Sequence, residues 1–176
     1  MFLSFAIECG TLDQFLDHWS GKYKDPNGRD RIYYDPYVGR PLTKESRRLL
    51  FEWKNGSALS SRKSASVEAY CPISGEITEL QKYLDPAGPG GPIWNIFYMH
   101  CVAPELWPIF DQHTYRAMRF MVTGKIEELS GRKAVIYAAY QGKYIPHVRG
   151  LGADWRKIDR ALYSFGQFLK MVKPYR

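Results

Sequence analysis

The sequence predicts an all-α fold, compact and helical, and three observations carry that prediction. Ile158, Ala161, Leu162, Phe165, Phe168 and Leu169 recur at helical spacing and form one apolar stripe. "TKESRRLLFEWKNG" opens on a capping threonine, Thr43, and closes on Asn55-Gly56, the signals of a complete helix. Period-2 alternation, the mark of strands, is scarce throughout. With 176 residues, the chain is expected to form a single domain over 1–176 with a real core.

The elements follow in order. Residues 1–20 read as a helix, with Phe2, Phe5, Ile7, Leu12, Phe15, Leu16 and Trp19 inward and a break at Gly10-Thr11. Residues 21–41, rich in Gly, Pro, Asp and Tyr, read as a connecting loop. The Thr43-capped helix carries Glu45 and Ser46 in its first turn. A further helix is expected over 75–84 with Ile77, Leu80 and Leu84 inward, then a glycine turn at 88–92 and an apolar helix from 92 to 102. Another helix begins after Asp111, where Tyr115, Met118, Phe120 and Met121 recur, and one more covers 129–140.

Net charge is +7 and the pI is near 9.3, a balance that favours a polyanionic partner. The charge is uneven: 22–63 and 143–176 each carry a net +6, while 64–142 is −2. Two basic blocks around a near-neutral middle suit a cleft whose rims hold phosphate; a solvated basic surface is the alternative. Cys9, Cys71 and Cys101 cannot all pair and suggest no disulfide framework. No signal peptide is evident, and no apolar run approaches the ~20 residues of a membrane span. The expectation is therefore a cytoplasmic protein without a membrane partner. His100-Cys101, His113 and His147 have none of the usual zinc spacings, so neither a metal nor any other cofactor is expected. Cys101 has no neighbour in sequence that would make it a thiolate.

The stretch "GPGGPIWNIFYMHCVAPELWPIFDQHTYRAM", residues 88–118, holds the strongest motif: a glycine turn, an apolar helix, then an acid opening a second helix. Gly88, Gly90 and Gly91 precede Asp111, which lies twenty residues beyond Gly91 within "PIFDQHTYRAM". This arrangement resembles the helix-hairpin-helix DNA glycosylase superfamily, in which a glycine-rich hairpin is followed by an aspartate in a Pro-Ile/Val-x-Asp context. The resemblance covers mainly residues 80–121, within a glycosylase-like part at 76–176; residues 1–75 form a divergent N-terminal part.

The resemblance implies DNA as partner, with Gly88, Gly90 and Gly91 approaching a phosphate through backbone N–H groups. It implies a base flipped from the stack, and an N-glycosidic bond hydrolysed with Asp111 stabilising positive charge on the sugar and orienting water. Bifunctional members carry a lysine two residues after the last hairpin glycine. Here Ile93 stands there, so the resemblance implies a monofunctional enzyme without a Schiff base. Three scattered cysteines also cannot supply the four ligands of an iron–sulfur cluster. Pro89, the Gly90-Gly91 pair and Pro92 depart from the family's hairpin. The divergent N-terminal part suggests an unusual modified base, as met in defence against phages with modified DNA.

Other residues join this set. Lys54, Arg62 and Lys63 are candidates to grip DNA phosphates, or to complement the end of a helix. Trp53, Asn55, Tyr33 and Tyr34 are candidates for a base pocket; the tyrosines serve equally as loop anchors. Trp94 and Tyr98 follow the turn and are the residues there expected to line a pocket, the rest being core. Gln112 and His113 adjoin the acid and can hydrogen-bond base or sugar. Asp111 itself has two readings, catalyst or N-cap, since Asp is among the best capping residues. A non-catalytic nucleic-acid-binding module and a small-nucleoside hydrolase are the rival functions.

Overall fold

A computed structural model describes residues 10–70 and 77–172. The expected helix over residues 1–9, with Phe2, Phe5 and Ile7 inward, lies outside the described residues, as do Cys9, Cys71 and residues 75–76. The Ile77 side chain is likewise not described. The architecture is all-α and compact, with no strand among the described residues.

The C-terminal stripe organises the packing. It forms α9, Trp155–Val172, burying Ile158, Ala161, Leu162, Phe165 and Leu169. Two helices cover that face: α1, Leu12–Gly21, and α6, Gln112–Thr123. Phe165 meets Phe15 edge-on at 5.1 Å and Phe120 at 5.7 Å, and Trp19 closes over it at 5.0 Å. A Cβ on Gly166 would stand 2.0 Å from the His113 carbonyl oxygen, so α9 and α6 touch backbone to backbone. The guanidinium of Arg116 donates to the Gly166 carbonyl at 2.8 Å and secures that crossing. The break at Gly10-Thr11 is the start of α1, where Thr11 and Gln14 form a reciprocal capping box.

The second helix, α2, spans Lys44–Asn55; Thr43 caps it and Gly56 ends it at φ +76°, the left-handed region that favours glycine. Residues 61–68, not expected to be helical, form α3, Ser61–Glu68, with Ser60 as its N-cap. Only Val67 of this polar octet is buried, which explains why periodicity did not reveal it. After α4, Ile77–Gln81, and a tight turn at Lys82–Leu84, the glycine turn leads into α5, Pro92–Val102. Burial of Asn95 through Cys101 on all sides makes α5 the central helix.

Two expectations need correction. The loop at 21–41 contains a π-helical turn, Asp30–Tyr34, whose Asp30 and Tyr34 are buried. The helix placed at 129–140 begins later, as α7, Lys133–Ala139, because Arg132 at the N-cap position is still extended, at φ −74° and ψ 125°. It then continues through a π turn, Tyr140–Tyr144, into α8, Ile145–Gly150, in whose first turn Pro146 needs no N–H.

Gly166→Ala is expected to cost about 3 kcal/mol or more, because rigid backbone on α6 must give way. Gly142→Ala, where a new Cβ meets nothing within 4 Å, is expected to raise stability by roughly 0.5–1 kcal/mol. Urea unfolding midpoints of the two variants check both.

Candidate functional site

Asp111 is placed by the segment before it. Phe110 is fully buried, packed by Tyr140 at 5.2 Å and Tyr144 at 4.9 Å, and Tyr140 donates to the Pro108 carbonyl at 3.0 Å. The chain therefore arrives at α6 fixed in direction. Asp111 is the N-cap: its Oδ1 accepts from the N–H groups of His113 at 2.8 Å and Thr114 at 3.1 Å. Its own N–H donates to Thr114 Oγ1 at 3.0 Å, completing a reciprocal box.

The other oxygen is held from a different element. Lys54, in the last turn of α2, donates from Nζ to Asp111 Oδ2 at 2.9 Å. The pair is largely enclosed, with side chains 13% and 18% exposed. Burial pushes the Asp111 carboxyl upward, but Lys54 and the helix N–H groups outweigh it and leave the acid below the usual carboxylate range. Asp111 is thus ionised, oriented and capping at once.

The acid opens on a cleft of about 590 Å³. Trp53, Lys54, Asn55, Gln112 and His113, all candidates from the sequence, line it with Asp111. Trp53 is a fixed aromatic wall, packed at a tilt on Tyr34 with ring centroids 4.2 Å apart, its indole N–H donating to Asp30 at 2.8 Å. His113 accepts at Nδ1 from the Arg116 guanidinium at 3.2 Å, which leaves the proton on Nε2. Burial lowers the His113 pKa; the opposing pull of Asp111 does not reverse this, so the ring is neutral at pH 7. The Gln112 amide nitrogen donates to Glu128. Asn55 accepts from Lys63 at 2.5 Å and donates to Ser57 and Ala58, which shapes the turn more than it offers groups to a ligand.

Sequence reasoning missed the opposite wall. Asp159 and Tyr163 of α9 line it, with Tyr23 and Arg29. Asp159 is only 9% exposed and accepts no hydrogen bond from any described residue; its nearest cation, Arg156, lies 3.8 Å away. Burial raises its pKa to about 6, with Asp111 and Asp30 adding to the rise and Arg156 and Lys54 opposing it. The signal was present: an aspartate four residues after Trp155 and three before Leu162 sits on the buried side of an amphipathic helix.

Three aromatic candidates fall elsewhere. Tyr34 is fully buried beneath Trp53, its hydroxyl bonded to His100, and cannot meet a base directly. Tyr98 is fully buried too, stacked on Tyr70 at 4.5 Å within the core. Tyr33 lies outside the cleft, under the guanidinium of Arg29 at 4.7 Å. His100 donates from Nδ1 to the Trp107 carbonyl at 2.8 Å, and burial drives its pKa down to about 3, so it is a neutral core residue.

The glycine turn does not reach Asp111. Gly90, Gly91, Trp94, Arg62 and Lys63 line a second groove of about 600 Å³. The two depressions adjoin at the Lys63–Asn55 hydrogen bond, since Asn55 lines the cleft and Lys63 the groove. Gly90 has φ +79°, and a Cβ there would meet Asn95 Oδ1 at 2.5 Å. Asn95 donates to the Pro89 carbonyl at 2.9 Å and pins the turn. The N–H groups of Gly90 and Gly91 donate to no described residue. Arg62 and Lys63 begin α3 instead of trailing α2, so the helix macrodipole adds to their positive potential. Gly88 stands apart from this pair; its carbonyl accepts from Lys133.

Comparison with protein-family models, with curated proteins and with solved structures returned no match.

Asp159→Asn is expected to stabilise the protein at pH 7.5, on the order of 2–3 kcal/mol, because an ionised carboxylate is relieved of burial. The raised pKa means the folded state binds its proton more tightly. The wild-type penalty is therefore complete above pH 6 and fades towards pH 4, where the two proteins should converge. Thermal melts at pH 7.5 and 4.5 measure the difference.

Proposed function

We propose that the chain is a DNA glycosylase-like hydrolase that extrudes a modified or damaged base and hydrolyses its N-glycosidic bond without cleaving the strand. The observation that carries this reading is the state of Asp111: an ionised carboxylate, oriented by its own helix and by Lys54, at a cleft with a rigid aromatic wall. Cleavage of an N-glycosidic bond leaves positive charge on the sugar, and a pre-oriented anion lowers that barrier without reorganising as charge develops. The cleft volume falls in the range of small-ligand sites.

The adjoining groove supplies what a polyanion needs. Arg62 and Lys63, the start of α3, and the N–H groups of Gly90 and Gly91 all present positive potential along one depression. Trp94 offers an aromatic face beside Lys63, whose ammonium lies 5.7 Å from its ring.

One observation favours a second reading. Although Ile93 occupies the expected lysine position, Lys54 reaches the same acid from α2. On this reading Lys54 attacks the sugar and the strand is cleaved after base removal. Borohydride trapping separates the two: a covalent protein–DNA adduct through Lys54 supports the strand-cleaving reading, and its absence with abasic sites present supports hydrolysis.

The test exposes damaged duplexes and hypermodified phage genomes to wild type and to Asp111→Asn, reading abasic sites by alkaline cleavage. Asparagine still caps, so DNA binding should persist while excision falls about 10²–10³-fold. Loss of the Lys54 partner should also cost on the order of 2 kcal/mol, visible as a lower melting temperature. Arg62→Ala and Lys63→Ala should each reduce the slope of log affinity against log salt by about 1. Binding without abasic sites on any DNA would overturn the hydrolase in favour of a non-catalytic module. A shallow salt slope in the wild type would point to a nucleotide-sized anion instead.

A further inference from the structure

Asp159 is a costly residue without an evident structural return. It is nine-tenths buried, lines the cleft, and takes no hydrogen bond from a described residue. The Arg156 guanidinium on the same helix gives its short contacts to other acids, Nη2 to Asp30 at 2.5 Å and Asp35 at 3.0 Å, while its Nη1 stays 3.8 Å from Asp159. Other ionisable groups face Asp159 from every side: Lys54 from α2, Asp111 at the start of α6, and Asp30 in the π turn. Tyr23, Tyr34, Tyr144 and Tyr163 complete that surround, each with its own phenol raised, chiefly by burial. A structural aspartate in such a place accepts hydrogen bonds or closes on a cation. Asp159 accepts no hydrogen bond from a described residue, and Arg156 Nη1 stands off from it at 3.8 Å, beyond hydrogen-bond distance.

We propose that Asp159 is the second catalytic carboxyl of the cleft, a general acid that protonates the base as it leaves. The proposal rests on the glycosylase reading and deepens it. The C1′–N bond breaks with both electrons passing to the base, and the Asp159 proton moves to the base atom that becomes basic. Water then forms the new bond to C1′ and loses its proton through the Asp111 carboxylate to solvent, and Asp159 regains a proton from solvent. The net change is one water divided between sugar and base.

The charges balance at each stage. In the protonated cleft, Lys54 and Asp111 cancel and Asp159 is neutral. When Asp159 gives up its proton, an anion appears beside the sugar as the sugar becomes positive. Lys54, whose charge alone would oppose a sugar cation, then attracts the new carboxylate. The environments push the two acids apart, Asp111 below the usual range and Asp159 up to about 6, which divides the roles of anion and acid between them. A base already cationic from alkylation leaves without such a proton. The implied substrate is therefore a neutral modified base.

The test is the pH dependence of single-turnover base excision, from pH 5 to 8.5, on the DNA from the panel that the wild type attacks. The wild-type rate should fall tenfold per pH unit above about 6. Asp159→Asn should remove that limb and slow excision about 10²–10⁴-fold at pH 5.5, with an undiminished melting temperature. Asp159→Glu should restore a limb and part of the rate. An Asp159→Asn enzyme that keeps the wild-type limb overturns the proposal and leaves the Asp111 reading standing. A slower variant with the limb intact reduces Asp159 to a structural residue and overturns it equally. A wild type that forms no abasic sites on any DNA removes the glycosylase reading itself, and the general acid with it.

Discussion

The cleft depends on Asp30. This carboxylate, only 2% exposed, gathers four donors from three parts of the chain. Oδ1 accepts from the Tyr23 hydroxyl at 2.9 Å and the Trp53 indole at 2.8 Å; Oδ2 accepts from Arg156 at 2.5 Å and Arg160 at 3.1 Å. Trp53 belongs to α2 and the two arginines to α9, so one buried anion holds opposite walls of the cleft in register. Burying a charge is expensive unless its hydrogen bonds are satisfied, and here both oxygens are. The Arg156 guanidinium also lies 4.1 Å over the Tyr34 ring, which extends the anchorage into the core.

From that frame the chemistry follows by position. Lys54 is the residue after Trp53, so fixing the indole fixes the starting point of the ammonium that meets Asp111. Asp159 lies three residues from Arg156 and shares its helix. One aspartate, Asp30, is satisfied and structural. A second, Asp111, is satisfied by a cap and a cation yet faces open space. The third, Asp159, accepts no hydrogen bond from a described residue and has only the long 3.8 Å contact to Arg156. Weakly paired charges in a buried setting lower stability, and natural proteins retain them where function requires it.

Much of the fold was legible in the sequence because its signals are local. The α9 stripe, the Thr43 cap and Gly56 stop of α2, and the helix opening at Asp111 each need only a few consecutive residues. The polar α3 carries only Val67 into the core, and no periodicity marks it. Among the site residues, Asp111, Trp53, Lys54, Asn55, Gln112 and His113 do meet at one cleft. Tyr34 and Tyr98 were misread because whether a tyrosine in an aromatic-rich stretch faces solvent is decided by distant partners, here His100, Tyr70 and Trp53. Asp30 was hidden for the same reason, since its partner Arg160 lies 130 residues away in the chain; Asp159 was legible locally, as an acid on the buried side of the α9 stripe.

The central claim is that Asp111 provides an anion matched to positive charge on a sugar. It can be tested without knowing the natural base. Duplexes carrying a cationic pyrrolidine abasic analogue and an uncharged tetrahydrofuran analogue differ mainly in the charge placed where that sugar cation would form. Wild type should bind the pyrrolidine duplex at least about 10²-fold more tightly, and Asp111→Asn should lose that preference while retaining affinity for the tetrahydrofuran duplex. Equal affinity of the wild type for the two duplexes would contradict the account and return Asp111 to the role of a helix cap.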